Sequence, residues 1–205
     1  MSAQHSGGSP RAASIPAKLI LASGSPRRKQ LLTAAGYKFE IVVPSESAEC
    51  GVCSGETPPE LVARLAYQKA ADVSTRVGPS VIIACDTICE CQGQLLGKPR
   101  DEDDARRMLN MLSNRRHRVY SGLCIWHVPA GEPNVRVDET TLRMDLLSQQ
   151  QIDDIVASGA WEGKAGAFGY QDGLDWVHVE RGSETNVVGL PMELLAEMLS
   201  ALEAS

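Results

Sequence analysis

The segment from Leu19 to Gly36, LILASGSPRRKQLLTAAG, narrows the choice of fold more than any other stretch of the 205-residue chain. Lys18 to Ala22 is a short apolar run ending in small residues, the pattern of a buried strand. Ser23, Gly24 and Ser25 make a tight polar turn. Pro26 suits the first helical position, where its fixed φ and missing N–H cost nothing. Leu31, Leu32 and Ala35 then recur at helical spacing up to Gly36, a natural helix end. Strand, turn and helix together set free N–H groups and the positive end of a helix dipole beside Arg27, Arg28 and Lys29. Such a junction suits an anion, and guanidinium forks match phosphate oxygens. The motif is neither a P-loop nor a dinucleotide fingerprint, and SPRR equally describes an exposed basic turn or a kinase target.

A chain of this length makes one domain, or two lobes sharing one core. Its hydrophobic share of 43% and charged share of 22% are those of an ordinary soluble protein. A formal net charge of −6 argues against a nucleic-acid binder with a broad basic face, so local basic clusters fit a small anionic ligand better. No apolar stretch approaches the roughly 20 residues that span a bilayer. Residues 1–17 are Ser, Gly, Ala and Pro without an apolar signal region, which predicts a disordered tail, a domain over 18–205 and a cytoplasmic location.

The rest of the chain alternates strands and helices. Lys38 to Val43 reads as a strand, and Pro44 to Glu56 as a polar loop bearing Glu46 and Glu49. Thr57-Pro58-Pro59-Glu60 is a capping box opening a helix to Gly78, with Leu61, Leu65 and Ala66 on its apolar face and Lys69 close to it. Pro79 to Ala84 predicts a strand, and Gln92-Gly93 a hairpin into Leu95 and Leu96. Asp101 caps a helix carrying Ala105, Met108, Leu109 and Leu112. Arg115 to Arg118 reads as a charged loop. Val119–Val128 and Val135–Leu146 predict a long antiparallel pair. Ser148 with Gln151 opens another capped helix. Trp176 to Glu180 is a strand, Gly182 to Pro191 a structured turn, and the chain closes on a helix.

Two features stand out. Asp86 interrupts an apolar run with no turn signal nearby, and a carboxylate there needs a hydrogen bond, an ion pair or a metal. Gly163 to Gly173 holds four glycines among GKAGAFGYQDG, which allows close backbone approach to a ligand and offers Lys164 and Gln171 as polar groups. The six cysteines are more ambiguous. Cys50-x-x-Cys53 and Cys89-x-Cys91 carry enough thiols for a zinc site. On a strand, however, Cys89 and Cys91 share one face and equally suit small buried hydrophobes.

In family order the chain carries LASGSPRR at 21–28, RLAYQKA at 64–70, Asp86-Thr87, LGKPRD at 96–101, GKAGAFGYQ at 163–171 and NVVGLP at 186–191. With these pieces it resembles the Maf family of nucleoside triphosphate pyrophosphatases from Leu19 to about Leu202. The resemblance implies an α/β fold with an elongated, curved mixed sheet, flanking helices and a cleft between two lobes, similar to inosine triphosphate pyrophosphatases. It implies hydrolysis of the α–β phosphoanhydride of a nucleoside triphosphate with a divalent cation, Mg2+ or Mn2+. Asp86 then matches the catalytic acid, and Arg27, Arg28, Lys69 and Lys98 match residues facing the triphosphate. Arg27, Thr87 and Gln171 match positions linked to substrate choice, and Ser23 and Lys164 join the substrate-binding set. Glu46 matches an acidic position that would share metal or water with Asp86. GKAGAFGYQ is similar to the form found in members acting on dTTP and UTP rather than 7-methyl-GTP. Cys85, Phe168, Tyr170 and Ser121 depart from the usual alanine, tyrosine, isoleucine and threonine, and none of these removes a charged site residue. The expected partner is a small nucleotide, not stable nucleic acid or membrane, and the sequence leaves a homodimer open. The competing class is a cysteine- and zinc-stapled module binding phosphate or nucleic acid without turnover.

Overall fold

The computed structural model describes residues 18–48 and 55–203. The tail at 1–17 and the Cys50-x-x-Cys53 motif lie outside the described residues. The elements are β1 (Leu19–Leu21), α1 (Pro26–Ala34), β2 (Phe39–Ile41), α2 (Pro58–Ser74), β3 (Ser80–Cys91), β4 (Gln94–Leu96), α3 (Glu102–Leu112), β5 (Arg116–Val128), β6 (Asn134–Met144), α4 (Gln149–Ala157), β7 (Val177–Arg181), α5 (Glu184–Val188) and α6 (Met192–Glu203). Among the described residues the strands form one mixed sheet in the order β2-β1-β3-β5-β6-β7, with β4 paired to β3. β1 runs parallel to β2 and β3; β3–β4, β3–β5, β5–β6 and β6–β7 are antiparallel. Parallel neighbours require crossovers, and α1 and α2 supply them.

Alternation along the strands sorts side chains between the two faces of the sheet. Leu19, Leu21, Val81, Ile83, Cys85, Leu123 and Ile125 turn toward α1 and α6, packing with Leu32, Leu195 and Leu199. Ile20, Ala22, Ile82, Ala84 and Cys124 turn the other way, toward Ala66, Ala70 and Val73 of α2. Farther along β3 and β5 a second core gathers Cys89, Cys91 and Val119 with Met108, Leu109 and Leu112 of α3 and Ile152 and Val156 of α4. Both cores share β3 and β5, which makes two lobes on one sheet.

Both expected capping boxes form: Thr57 N–H donates to Glu60 Oε2 at 2.8 Å, and Ser148 N–H to Gln151 Oε1 at 2.9 Å. Three expectations are corrected. The charged run at 115–118 is no loop: β5 starts at Arg116, and exposed Arg116 and Arg118 alternate with buried His117 and Val119. Arg116 is held there by Glu180 of β7, Nε to Oε2 at 2.7 Å. The turn at 182–191 contains α5, capped by the Ser183 hydroxyl, which accepts from Asn186 N–H. The buried face of α2 is Leu61, Val62, Ala66, Lys69, Ala70 and Val73, with Leu65 only half-buried.

Helix α2 lies against β5 so closely that position 122 has no room for a side chain. A Cβ on Gly122 would stand 2.1 Å from the Val62 carbonyl oxygen and 2.4 Å from its carbon. Gly122→Ala must push α2 off the sheet, and overpacking of this kind costs about 1–3 kcal/mol. Denaturant unfolding of the variant should show that loss as a lower midpoint; an unchanged midpoint would contradict the contact.

Candidate active site

Position 86 lies where β3 passes between the two cores, and strand alternation decides what each neighbour meets. Asp86 continues the Ile82–Ala84 face and points toward α2. There Lys69, only 5% exposed, donates from Nζ to Asp86 Oδ1 at 2.6 Å. Gly122 pairs with Asp86 across β3–β5, so the bare backbone at 122 is what lets α2 bring Lys69 within reach. Lys69, read from sequence as a residue near the apolar face, is a buried partner of the carboxylate.

Thr87 continues the opposite face and points toward α1. Its hydroxyl lies 2.8 Å from Ser121 Oγ, its register partner on β5, and 3.3 Å from the carbonyl oxygen of Gly189. Arg28 converges on the same place. It donates from Nε to Gly189 O at 2.7 Å, from one terminal nitrogen to Ser23 Oγ at 3.1 Å, and from the other to Thr87 Oγ1 at 3.4 Å. Ser23 is buried and also accepts the Ser25 N–H at 3.1 Å, which fixes the turn before α1. Ser121 and the Gly189 carbonyl are the parts of this network that sequence reading left without a role; the departure at 121 and the NVVGLP motif were the available signals.

Ser23, Arg28, Lys69, Asp86, Thr87 and Gly189 line a cleft of about 640 Å³ whose walls also carry Arg27, Lys98, Lys164 and Gln171. The N-terminus of α1 contributes Ser25, Pro26, Arg27 and Arg28, so free backbone N–H groups and two guanidinium groups face the same space. Arg27 reaches across it and donates to Gly163 O at 2.8 Å, joining α1 to the glycine-rich segment. Burial lowers the Arg27 pKa, the Arg28 charge lowers it further, and Asp172 opposes both. Lys164 is ion-paired with Asp172. The cleft thus gathers Ser23, Arg27, Arg28, Lys69, Asp86, Thr87, Lys98, Lys164 and Gln171. Glu46 is not among the lining residues. It lies exposed on a short turn at Glu46–Ala48, which Ser45 ties to α2 by donating its N–H to Asp72 Oδ2 at 3.0 Å. Glu162, not singled out in the sequence, is the other carboxylate on the cleft wall.

The glycine-rich segment folds as two short turns, Ala165–Ala167 and Tyr170–Asp172. Gly166 needs its freedom: φ is +73°, and a Cβ would stand 3.3 Å from Cys89 Sγ. Cys85, Cys89, Cys91 and Cys124 are buried and free, with burial pushing Cys124 up to about 12, so they behave as apolar filling rather than thiolate ligands. Phe168, which lines the cleft, rests edge-on against His117 with ring centres 5.6 Å apart, and lies 6.5 Å from the ring of Trp176.

A family model described as Maf-like protein matches residues 18–202. A dTTP/UTP pyrophosphatase of Rhodopirellula baltica is 54% identical over 189 residues, covering 92% of this chain and 83% of that protein. A dTTP/UTP pyrophosphatase of Geotalea uraniireducens is 40% identical over 185 residues, covering 90% and 93%. Among solved structures, a nucleoside-triphosphatase / dITP/XTP pyrophosphatase from Mycobacterium abscessus aligns with a TM-score of 0.41 at 15% identity, covering 91% of this chain and 97% of that one.

The seat of Phe168 gives a stability test. His117 is 2% exposed and neither ring nitrogen makes a well-formed hydrogen bond. Burial pushes its pKa down to about 4, with the backbone at Arg115 offsetting only part. The unfolded chain, with an ordinary histidine pKa of about 6.5, therefore binds more protons between the two values. Stability should be fully present above about pH 6.5 and fall by up to about 3 kcal/mol as pH drops toward 4. Denaturant midpoints measured across that window should show the slope, and His117→Leu should flatten it.

Proposed function

The chain belongs to the Maf-like protein family, and on that premise we propose that it is a nucleoside triphosphate pyrophosphatase acting on UTP and dTTP. The observation that carries this reading is the pairing of Asp86 with Lys69 at 2.6 Å in a cleft ringed by Arg27, Arg28 and Lys98. A triphosphate brings several negative charges, and more develops on the departing pyrophosphate, so fixed cations stabilise the transition state beyond the ground state.

Water adds to a phosphorus of the α–β anhydride, the bridging P–O bond breaks, and the products are a nucleoside monophosphate and pyrophosphate. Asp86 orients that water and accepts its proton, while Lys69 holds the carboxylate in place through the bond to Oδ1. Arg27, Arg28 and Lys98 receive the phosphates, and the Ser23–Arg28–Thr87 network sets the first of these walls. Gln171 presents one amide donor and one acceptor, the complement of a uracil or thymine edge.

The donor set suits a divalent cation carried in with the substrate. Among the described residues no group of three or more His, Cys, Asp or Glu side chains stands ready as a metal cage. Mg2+ commonly takes one or two carboxylates, keeping water and phosphate oxygens for the rest. In the alternative use of the same carboxylate, Asp86 would hold the ion instead of taking the proton, and bound there the ion would supply charge neutralisation of the phosphates. Among the described residues no helix is long and apolar enough to cross a membrane. The cytoplasm, where nucleoside triphosphates are made and spent, is the place proposed for it. The zinc-module reading finds no support in the buried thiols at 85, 89, 91 and 124.

Two measurements test the proposal. A pyrophosphate-release screen with Mg2+ or Mn2+ should favour UTP and dTTP; faster turnover of 7-methyl-GTP would overturn the substrate assignment. Asp86→Asn keeps size and removes charge, so turnover should fall by at least about 10²-fold with circular dichroism unchanged. Near wild-type turnover in that variant at saturating substrate would overturn the mechanism.

A further inference from the structure

The glycine-rich segment carries a carboxylate with no task in the phosphate site. Asp172 follows Gln171 directly and closes the second turn, its N–H donating to Gly169 O at 3.0 Å. Its Oδ2 pairs with the Lys164 ammonium, whose side chain is only 14% exposed. Lys164, Gly169 and Gln171 line the cleft, and Asp172 is not among the lining residues.

The missing side chain at Gly169 shows how tightly the three groups converge. A Cβ there would stand 2.6 Å from Asp172 Oδ2, 2.8 Å from Lys164 Nζ and 2.9 Å from Gln171 Nε2. The Asp172 carboxylate, the Lys164 ammonium paired with it and the Gln171 amide nitrogen therefore crowd the space that a side chain at 169 would take. The anion neutralises Lys164, and the Gln171 nitrogen end lies beside the same polar spot, where a neighbouring carboxylate favours it over the amide oxygen. Without the anion, the ammonium attracts the amide oxygen instead. The amide then turns over, exchanging donor for acceptor at the surface offered to a base.

We propose that Asp172 is a positioning residue for base selection: paired with Lys164, it fixes the orientation of the Gln171 amide and so the preference for uracil over cytosine. The inference deepens the function proposed above and rests on Gln171 reading the base. Uracil presents an acceptor and a ring N–H donor where cytosine presents a donor and a ring acceptor, so a turned amide favours the other pyrimidine.

The test is the ratio of kcat/KM for UTP to that for CTP. Both substrates carry the same triphosphate, so loss of a phosphate contact cancels in the ratio, as does any loss of correctly folded enzyme. In Asp172→Ala the ratio should fall by about tenfold, the scale of one exchanged hydrogen bond. Asp172→Glu should recover part of it. Lys164→Met combined with Asp172→Ala removes the stray ammonium and should bring the ratio back toward wild type, although absolute rates fall. An unchanged ratio in Asp172→Ala overturns the inference. So does a lowered ratio that the double variant leaves lowered, since that is the mark of simple loop damage. Wild-type turnover without preference for UTP over CTP would overturn the role of Gln171 and this inference with it. Wild-type preference with an indifferent Asp172→Ala overturns this inference alone.

Discussion

Strand β3 runs twelve residues through both hydrophobic cores, and its alternation fixes the direction of the chemistry. Ala84 and Asp86 share one face, Cys85 and Thr87 the other, so adjacent polar residues meet different helices. Asp86 meets Lys69 on α2; Thr87 meets Arg28 on α1. A one-residue slip of β3 would send the carboxylate to the arginine side and the hydroxyl to the lysine side. Register is held by unbroken pairing of Ser80–Glu90 with Arg118–Val128 and by the apolar contacts on either face. The site thus lies where the two cores end: between them the strand carries polar residues, with α2 meeting one face and α1 the other.

Charge explains why the gap persists instead of collapsing. Arg27, Arg28, Lys69, Lys98 and Lys164 crowd the cleft of an acidic chain, and their mutual repulsion resists closure. The protein answers locally, with Asp86 opposite Lys69, Asp172 opposite Lys164, and carbonyl oxygens of Gly163 and Gly189 receiving Arg27 and Arg28. Backbone carbonyls bring a dipole rather than a full charge. They orient a guanidinium while leaving its cationic character for an incoming anion.

Much of this was legible in the residues. The turn at Ser23–Ser25, the capped helices, the hairpin at Gln92-Gly93 and the odd position of Asp86 all follow from local patterns, and local patterns are what sequence records. The misreadings share a cause. Lys69 reads only as a residue near the apolar face of its helix, because its partner lies on a strand seventeen positions on and nothing in the helix periodicity shows the pairing. His117 counted as polar and so hid the buried–exposed alternation that makes residues 116–119 a strand. Glu46 enters only through the resemblance to an acidic family position, and the structure places it on an exposed turn tied to α2 through Ser45 and Asp72, not among the residues lining the cleft. Nothing in the sequence singles out Asp172, because its pairing depends on Lys164 folding back to it beside Gly169.

The unbroken passage of β3 and β5 from one core to the other has a mechanical consequence. Where lobes are joined by loops, a mouth swings on a few backbone dihedrals. Here no loop separates them along those strands, so widening the mouth means flexing a hydrogen-bonded ribbon whose stiffness is set by its pairing. The bond from Arg27 to the Gly163 carbonyl spans the opening and is the kind of contact a competing anion displaces. Ligand entry then resembles releasing a latch on a springy tongs rather than opening a hinged door, with a small travel and a built-in return.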